Sequence, residues 1–268
     1  MAELLDLDAY FTRIRWQGGT APTYATLAGL LAHHLRHVPF ENFDVLLGRG
    51  IRLDLPALQA KLVTARRGGY CFEHASLFAA VLETLGFAPL RHAARVITYR
   101  PPDEAPRTHM FLSVIVDDVR YIVDPGFGPF ASPLPLPLDG SGVPPERPTH
   151  RVAREGTRWV LHTTRDGADI PAWICNLDVE NPIDFEVANH YTATHPASQF
   201  KNAIFASAAT EDGRVSIVNR DVTHRSGAHV RKFTLADRGA LRALLARYFG
   251  FDLAEIETMR VPGIPGWS

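Results

Sequence analysis

The apolar side chains of this 268-residue chain change their period partway along it, and that change limits the folds open to it. Up to residue 86 they recur every three or four positions. Leu27, Leu30, Leu31 and Leu35 make one stripe, and Cys71, Ala75, Phe78, Leu82 and Leu85 make another. This is the spacing of a helix that buries one face. Val38-Pro39 ends the first stripe, because proline disfavours the α conformation in the residue before it. Gly86 ends the second. A shorter amphipathic segment carries Tyr10, Phe11 and Ile14 and stops at Gly18-Gly19. A further helix starts near Asp54, with Pro56 in its first turn, and runs through Leu58, Leu62 and Val63. Downstream, short runs rich in Val, Ile and aromatics predict strands at 95–99, 111–116, 119–123, 159–163, 173–177, 203–207 and 215–219. Asp117-Asp118 and Asp212-Gly213 read as hairpin turns. Residues 129–148 hold seven prolines and read as an extended surface loop with no packed element. Thr234 and Asp237 read as a capping box for a last helix through Leu241, Leu244, Leu245 and Tyr248, closed by Gly250. Helices, then strands, then a mixed segment define an α+β protein.

Composition narrows the function by exclusion. The formal net charge is −1 and no long run of one sign occurs, which argues against a nucleic-acid binder. No apolar run approaches the roughly 18 residues that span a bilayer. Acids come early in the N-terminal segment, which has no apolar core of a secretory signal. Two cysteines cannot supply a disulfide framework. A cytoplasmic protein without membrane or nucleic-acid partners is expected. His33 and His37 have the i, i+4 spacing of a metal pair but no further ligands beside them, so His33, His34 and His37 read as a solvated helix end and no metal is expected. Neither Walker A nor GxGxxG is present, which leaves nucleotide cofactors without support.

Cys71 has the most informative surroundings. Arg66-Arg67-Gly68-Gly69-Tyr70 precede it, and the helical stripe begins with it. A thiol at a helix N-terminus faces the positive end of the dipole and unpaired N–H groups, which favour the thiolate. The same N–H groups suit an oxyanion on a substrate carbonyl. On this ground alone Cys71 is either a nucleophile or a small buried apolar residue. The hairpin adds the rest. With Asp117-Asp118 as the turn, Val116 faces Val119 and, counting outward, Phe111 faces Asp124. His109 lies two residues before Phe111 and so shares a face with Asp124, about 7–8 Å away diagonally at the backbone. An odd spacing would have put the two on opposite faces. A histidine at a strand end is often only a satisfied polar residue, yet cysteine, histidine and aspartate together have the roles of nucleophile, base and orienter. Gly126-Phe127-Gly128 then reads either as a plain turn or as a place where backbone approaches a ligand beside Phe127. Cys175, in an apolar run, reads as core.

These residues resemble the arylamine N-acetyltransferase family over nearly the whole chain. The resemblance is carried by Tyr10-Phe11-Thr12-Arg13-Ile14, Val38-Pro39-Phe40-Glu41-Asn42-Phe43, Lys61-Leu62-Val63 and Arg67-Gly68-Gly69-Tyr70-Cys71-Phe72-Glu73. Downstream it continues through His109-Met110, Val123-Asp124-Pro125-Gly126-Phe127-Gly128 and residues 189–200. It implies an N-terminal helical bundle (1–86), a central β-barrel (87–190) and a C-terminal α/β lid (191–268), with a core similar to papain-like and transglutaminase-like cysteine enzymes. It also implies no bound cofactor, acetyl-CoA as acyl donor, and an arylamine or hydrazine as acceptor, in a ping-pong reaction of xenobiotic metabolism. Cys71 would carry the acetyl group, with His109 as base and Asp124 orienting it. By the same resemblance Phe40, Tyr70 and Phe127 would line the acceptor pocket, and Arg107, Thr108, Gly126 and Gly128 would approach CoA. The family has Val where this chain has Pro125, which favours extended backbone at Asp124. His74 is expected to face either the pocket or solvent. The alternatives are an amide synthase of a biosynthetic pathway on the same fold, a transglutaminase-like cysteine hydrolase, and a binding protein with a buried Cys71. A homo-oligomer is the assembly state left open.

Overall fold

The computed structural model describes residues 5–140, 149–165 and 167–267. Helix α1 (Leu7–Ile14) is capped by Asp6, whose carboxylate accepts the Ala9 N–H, and α2 (Tyr24–His37) by Thr23, whose hydroxyl accepts the Thr26 N–H. Strand β1 (Phe40–Glu41), α3 (Phe43–Leu46) and α4 (Leu55–Leu58) follow, and a π-helical turn, Gln59–Thr64, continues α4. Helix α5 (Cys71–Thr84) is the centre of this region. Phe72, Ala75, Leu77, Phe78, Ala79, Val81 and Leu82 are all buried, so α5 is enclosed on nearly every side and not along one stripe only. Tyr10, Ile14, Leu27, Leu30, Leu31, Leu58 and Leu62 pack into the same cluster. Each such large apolar side chain contributes about 1.5–3 kcal/mol relative to exposure.

Seven antiparallel strands form the middle region: β2 (Leu90–Val96), β3 (His109–Val116), β4 (Val119–Val123), β5 (Leu136–Pro137), β6 (His150–Glu155), β7 (Arg158–Arg165) and β8 (Ala168–Cys175). Their order is β5-β4-β3-β2-β8-β7-β6, and the two edge strands approach each other, which makes a nearly closed barrel. Two expectations fail here. Strand β2 begins at Leu90, before the run at 95–99. The proline-rich stretch is partly a packed element, because Leu136 and Pro137 pair with Ile122 and Tyr121; proline is tolerated at such an edge. Residues 141–148 of that stretch lie outside the described residues.

Helices α6 (Pro182–Thr194) and α7 (Gln199–Asn202) lead to a second antiparallel sheet of β9 (Phe205–Ala209), β10 (Gly213–Val218), β11 (Asp221–Ser226) and β12 (His229–Thr234). Strand β1 completes this sheet at its β9 edge, with Phe40 opposite Ser207 and Glu41 opposite Ala206. Helix α8 (Arg238–Tyr248) covers it with Leu241, Leu244 and Leu245 against Ala206, Val215, Ile217 and Val222. The capping box expected from Thr234 does not form. Asp237 itself caps α8 by accepting the Ala240 N–H, and Thr234 belongs to β12 and donates to Asp221. The boundary drawn at 86/87 falls between α5 and β2, whereas that at 190/191 falls inside α6. No helix among the described residues is long and apolar enough to cross a membrane.

One buried cation ties the helical region together. The Arg13 guanidinium, 4% exposed, donates to the carbonyls of Leu62 (2.8 Å), Arg66 (3.2 Å), Arg67 (3.3 Å) and His37. It thereby joins α1 to the end of α2, to the π-helical turn and to the turn before Cys71. Burial pushes Arg13 down to about 10, so it stays charged at neutral pH. Hydrogen bonds to a charged group are worth about 1.5–3 kcal/mol each, and a buried carbonyl left without a partner costs about 1–3 kcal/mol. Arg13→Met is therefore expected to lower stability in urea denaturation by at least about 3 kcal/mol. A loss below about 1 kcal/mol would contradict this role.

Candidate active site

The turn before α5 is set by close contacts. A Cβ on Gly69 would lie 2.6 Å from Oε2 of Glu73, and one on Gly68 would lie 2.1 Å from the Pro39 carbonyl oxygen. The space taken by glycine here belongs to a carboxylate and a neighbouring backbone. Glu73 uses that space to accept the Tyr70 N–H at 3.1 Å, closing the start of the helix. Burial pushes Glu73 up to about 6, against the pull of Lys61 at 2.7 Å. Lys61 also reaches Asp44 (2.8 Å), and Arg67 binds Glu41 (2.6 Å) and Asp44 (3.2 Å), so a network of buried charges fixes the turn from below. Cys71 emerges as the first residue of α5, 5% exposed, with Sγ 3.7 Å from the Thr108 carbonyl oxygen.

The β3–β4 hairpin supplies the partners in the register that parity predicts. Asp117 and Asp118 have φ of 50° and 63°, the left-handed pair of a two-residue type I′ turn. Val116 faces Val119 and Leu112 faces Val123, which sets Phe111 opposite Asp124 one step further out. His109 Nε2–H donates to Asp124 Oδ2 at 2.7 Å, with the two side chains 3% and 5% exposed. The indole N–H of Trp173 donates to the same oxygen at 3.1 Å, and Trp173 is held by Phe111 stacked on it at 4.5 Å. Phe127 lies against the imidazole at 4.6 Å. Burial disfavours the imidazolium, but the charge and hydrogen bond of Asp124, helped by a hydrogen bond with Cys71, outweigh it and push His109 up to about 10. With Nε2 given to Asp124, the nitrogen facing Cys71 is Nδ1.

Gly126 joins the two halves. A Cβ there would lie 2.6 Å from Cα of Cys71, so the barrel backbone rests directly on the backbone of Cys71. Gly128, at φ 56°, leaves room for the Phe40 ring in the same way. Both glycines accommodate close contacts within the protein, and Gly126 also lines the cleft above Cys71. A cleft of about 680 Å³ opens over Cys71 and His109, walled by Phe40, Phe127, Phe200 and Tyr191. Arg100, Arg165, Arg225 and Lys232 also line it. Of the expected contacts, Phe40, Phe127, Thr108 and Gly126 line the cleft. Tyr70 does not: it is fully buried and its hydroxyl donates to Asn189. Arg107 is engaged by Glu180 and lies outside the lining, as does Gly128.

Two histidines are not where the sequence put them. His34 is fully buried and not part of a solvated helix end, and His74 faces neither pocket nor solvent but lies buried behind Phe40. Cys175 is buried, and burial pushes its thiol up to about 11. Trp173 and the cations of the cleft lining escaped the sequence reading. For Trp173 a signal existed, since a tryptophan in a buried strand needs a partner for its N–H. Among the described residues, no three His, Cys, Asp or Glu side chains gather as metal ligands would.

The comparisons agree with this fold. The N-acetyltransferase family profile matches residues 23–258. The arylamine N-acetyltransferase of Mycobacterium tuberculosis is 40% identical over 261 residues, 94% of this chain and 91% of that protein. A solved structure of arylamine N-acetyltransferase from M. tuberculosis superposes with a TM-score of 0.87 at 37% identity, covering 94% of this chain and 96% of that one. The Mycobacterium marinum arylamine N-acetyltransferase in complex with CoA gives a TM-score of 0.87 at 31% identity, covering 94% of each chain. Fold and profile together define an N-acetyltransferase. The chain belongs to the arylamine N-acetyltransferase family.

Two outcomes follow from the geometry. His109 is raised in the folded state above the ordinary 6.5, so its pairing stabilises the fold fully below about pH 6.5 and that contribution is lost as pH rises through about 10. The gap in melting temperature between the native protein and Asp124→Asn should therefore narrow from pH 6.5 to 10; a constant gap would contradict the pairing. Gly126→Ala should slow alkylation of Cys71 by at least about tenfold, because the new methyl group displaces the thiol from His109. An unchanged rate would mean that the contact is not what sets the position of Cys71.

Proposed function

We propose that this chain transfers an acetyl group from acetyl-CoA to an aromatic amine or hydrazine by a ping-pong route through Cys71. The observation that carries the reading is a cysteine at the first position of a buried helix, beside a buried His109–Asp124 pair, at the floor of an aromatic cleft. His109 takes the thiol proton, and the imidazolium it becomes stabilises the sulfur as a thiolate. The thiolate attacks the thioester carbonyl, and unpaired N–H groups at the start of α5 face the oxyanion. When the C–S bond to CoA breaks, His109 returns the proton to the departing sulfur. In the second half the amine attacks acetyl-Cys71, His109 accepts the amine proton, and Cys71 leaves as thiolate. Asp124 holds the imidazole by Nε2 throughout, which keeps Nδ1 on the reacting side.

Phe40, Phe127 and Phe200 suit a flat aromatic acceptor, which ring stacking would hold edge-on or offset. Arg100, Arg165 and Lys232 in the cleft lining suit the phosphates of CoA, with Thr108 and Gly126, which adjoin Cys71, nearer the thioester. The CoA complex of the M. marinum relative supports this donor.

Incubation with acetyl-CoA alone, digestion at low pH and mass spectrometry test the reading. An acetyl thioester is expected on Cys71, absent in Cys71→Ala and discharged by an added aromatic amine. An unmodified Cys71 that still alkylates readily would overturn acetyl-CoA as the donor and favour a hydrolase.

A further inference from the structure

Behind the cleft lies a set of buried polar groups that the reaction does not use. Tyr10, His34 and His74 come from α1, α2 and α5 and are 0%, 0% and 1% exposed. Their hydrogen bonds run in one direction. Nε2 of His74 lies 3.2 Å from the Pro39 carbonyl oxygen and 3.1 Å from that of Gly69, both acceptors, so it carries the hydrogen. Nδ1 of His74 must then accept, and it does so from His34 Nε2–H at 2.8 Å. Nδ1 of His34 in turn accepts from the Tyr10 hydroxyl at 2.8 Å. Burial pushes His74 down to about 4 and His34 well down, so both rings are neutral at pH 7 and the direction is fixed.

The carbonyls at the end of this relay are the ones that bridge the acceptor wall to the nucleophile's turn. Gly69 N–H donates to the Pro39 carbonyl (3.3 Å), and Glu41 N–H donates to that of Gly69 (2.8 Å), on either side of Phe40. The Phe40 ring lies nearly parallel to His74, at 6.4 Å and 15°. Cys71 has supports of its own in Glu73 and Gly126, whereas the Phe40 backbone has β9 on one edge and this bridge on the other, with the Arg67–Glu41 pair beside it. We propose that Tyr10, His34 and His74 form a positioning relay that holds Phe40 against the acceptor, so that it governs discharge of the acyl-enzyme by amine and not its formation. This inference rests on the ping-pong reading above.

The test measures the two half-reactions separately, by rapid quench and mass spectrometry of Cys71, in His74→Leu, His74→Gln and Tyr10→Phe. His74→Leu should acylate within about twofold of the native rate but need about tenfold more aromatic amine for half-maximal discharge. His74→Gln, whose amide reaches the same two carbonyls, should recover most of that loss. Tyr10→Phe deletes one oxygen far from the cleft and should move discharge the same way by about threefold, which keeps the test open if His74→Leu does not fold. Native amine dependence in Tyr10→Phe and in any His74→Leu that folds would overturn the relay alone. So would slowing of both half-reactions by one factor, the mark of general loosening. A native enzyme that never forms acetyl-Cys71 would overturn the reaction itself, and the relay's role with it.

Discussion

A buried imidazole and a buried carboxylate are each costly alone, and the hydrogen bond between His109 and Asp124 is what makes both tolerable inside the barrel. Much of the surrounding structure follows from keeping that pair together. The β3–β4 register must be even, which the two left-handed aspartates of the turn fix. Trp173 gives Asp124 a second donor on the same oxygen, while Oδ1 has no hydrogen-bond partner among the described residues. The ring stack from Phe111 to Trp173 keeps those donors from moving. The barrel thus functions less as a container than as a rigid mount for one ionisable pair.

The helical region performs the matching task for Cys71 with charge. Glu73, Lys61, Asp44, Arg67 and Glu41 form a connected set in which each carboxylate meets a cation, and Arg13 adds a cation satisfied only by carbonyls. Buried ion pairs add little net stability over apolar packing, because desolvation consumes most of the attraction. Their geometric demand is strict, however, and here it falls on the backbone between Arg66 and Cys71. Where the two mounts meet, the missing side chain of Gly126 is the joint.

The sequence was most legible where periodicity and local chemistry coincide. The strand spacing around Asp117-Asp118 placed His109 and Asp124 on one face, and the end of the glycine turn placed Cys71 at a helix start. Long-range pairing was not legible. Two residues, Phe40 and Glu41, carry no strand pattern, yet they complete a sheet whose other strands begin more than 160 residues later. Strand β6 escaped because His150, Arg151 and Arg154 give it no apolar alternation. The glycines at 126 and 128 read as permissive, but only the fold brings Cys71 beneath one and the Phe40 ring beside the other. His34 looked solvated among three histidines because a helix stripe does not say which polar residue faces another helix.

Asp124 on one side and Cys71 on the other hold His109 as an imidazolium at neutral pH. Nitrogen-15 NMR of the His109 ring across pH tests it most directly. Both ring nitrogens are expected to be protonated at pH 8, with titration near pH 10. A neutral ring at pH 8 that titrates near an ordinary 6.5 would contradict it.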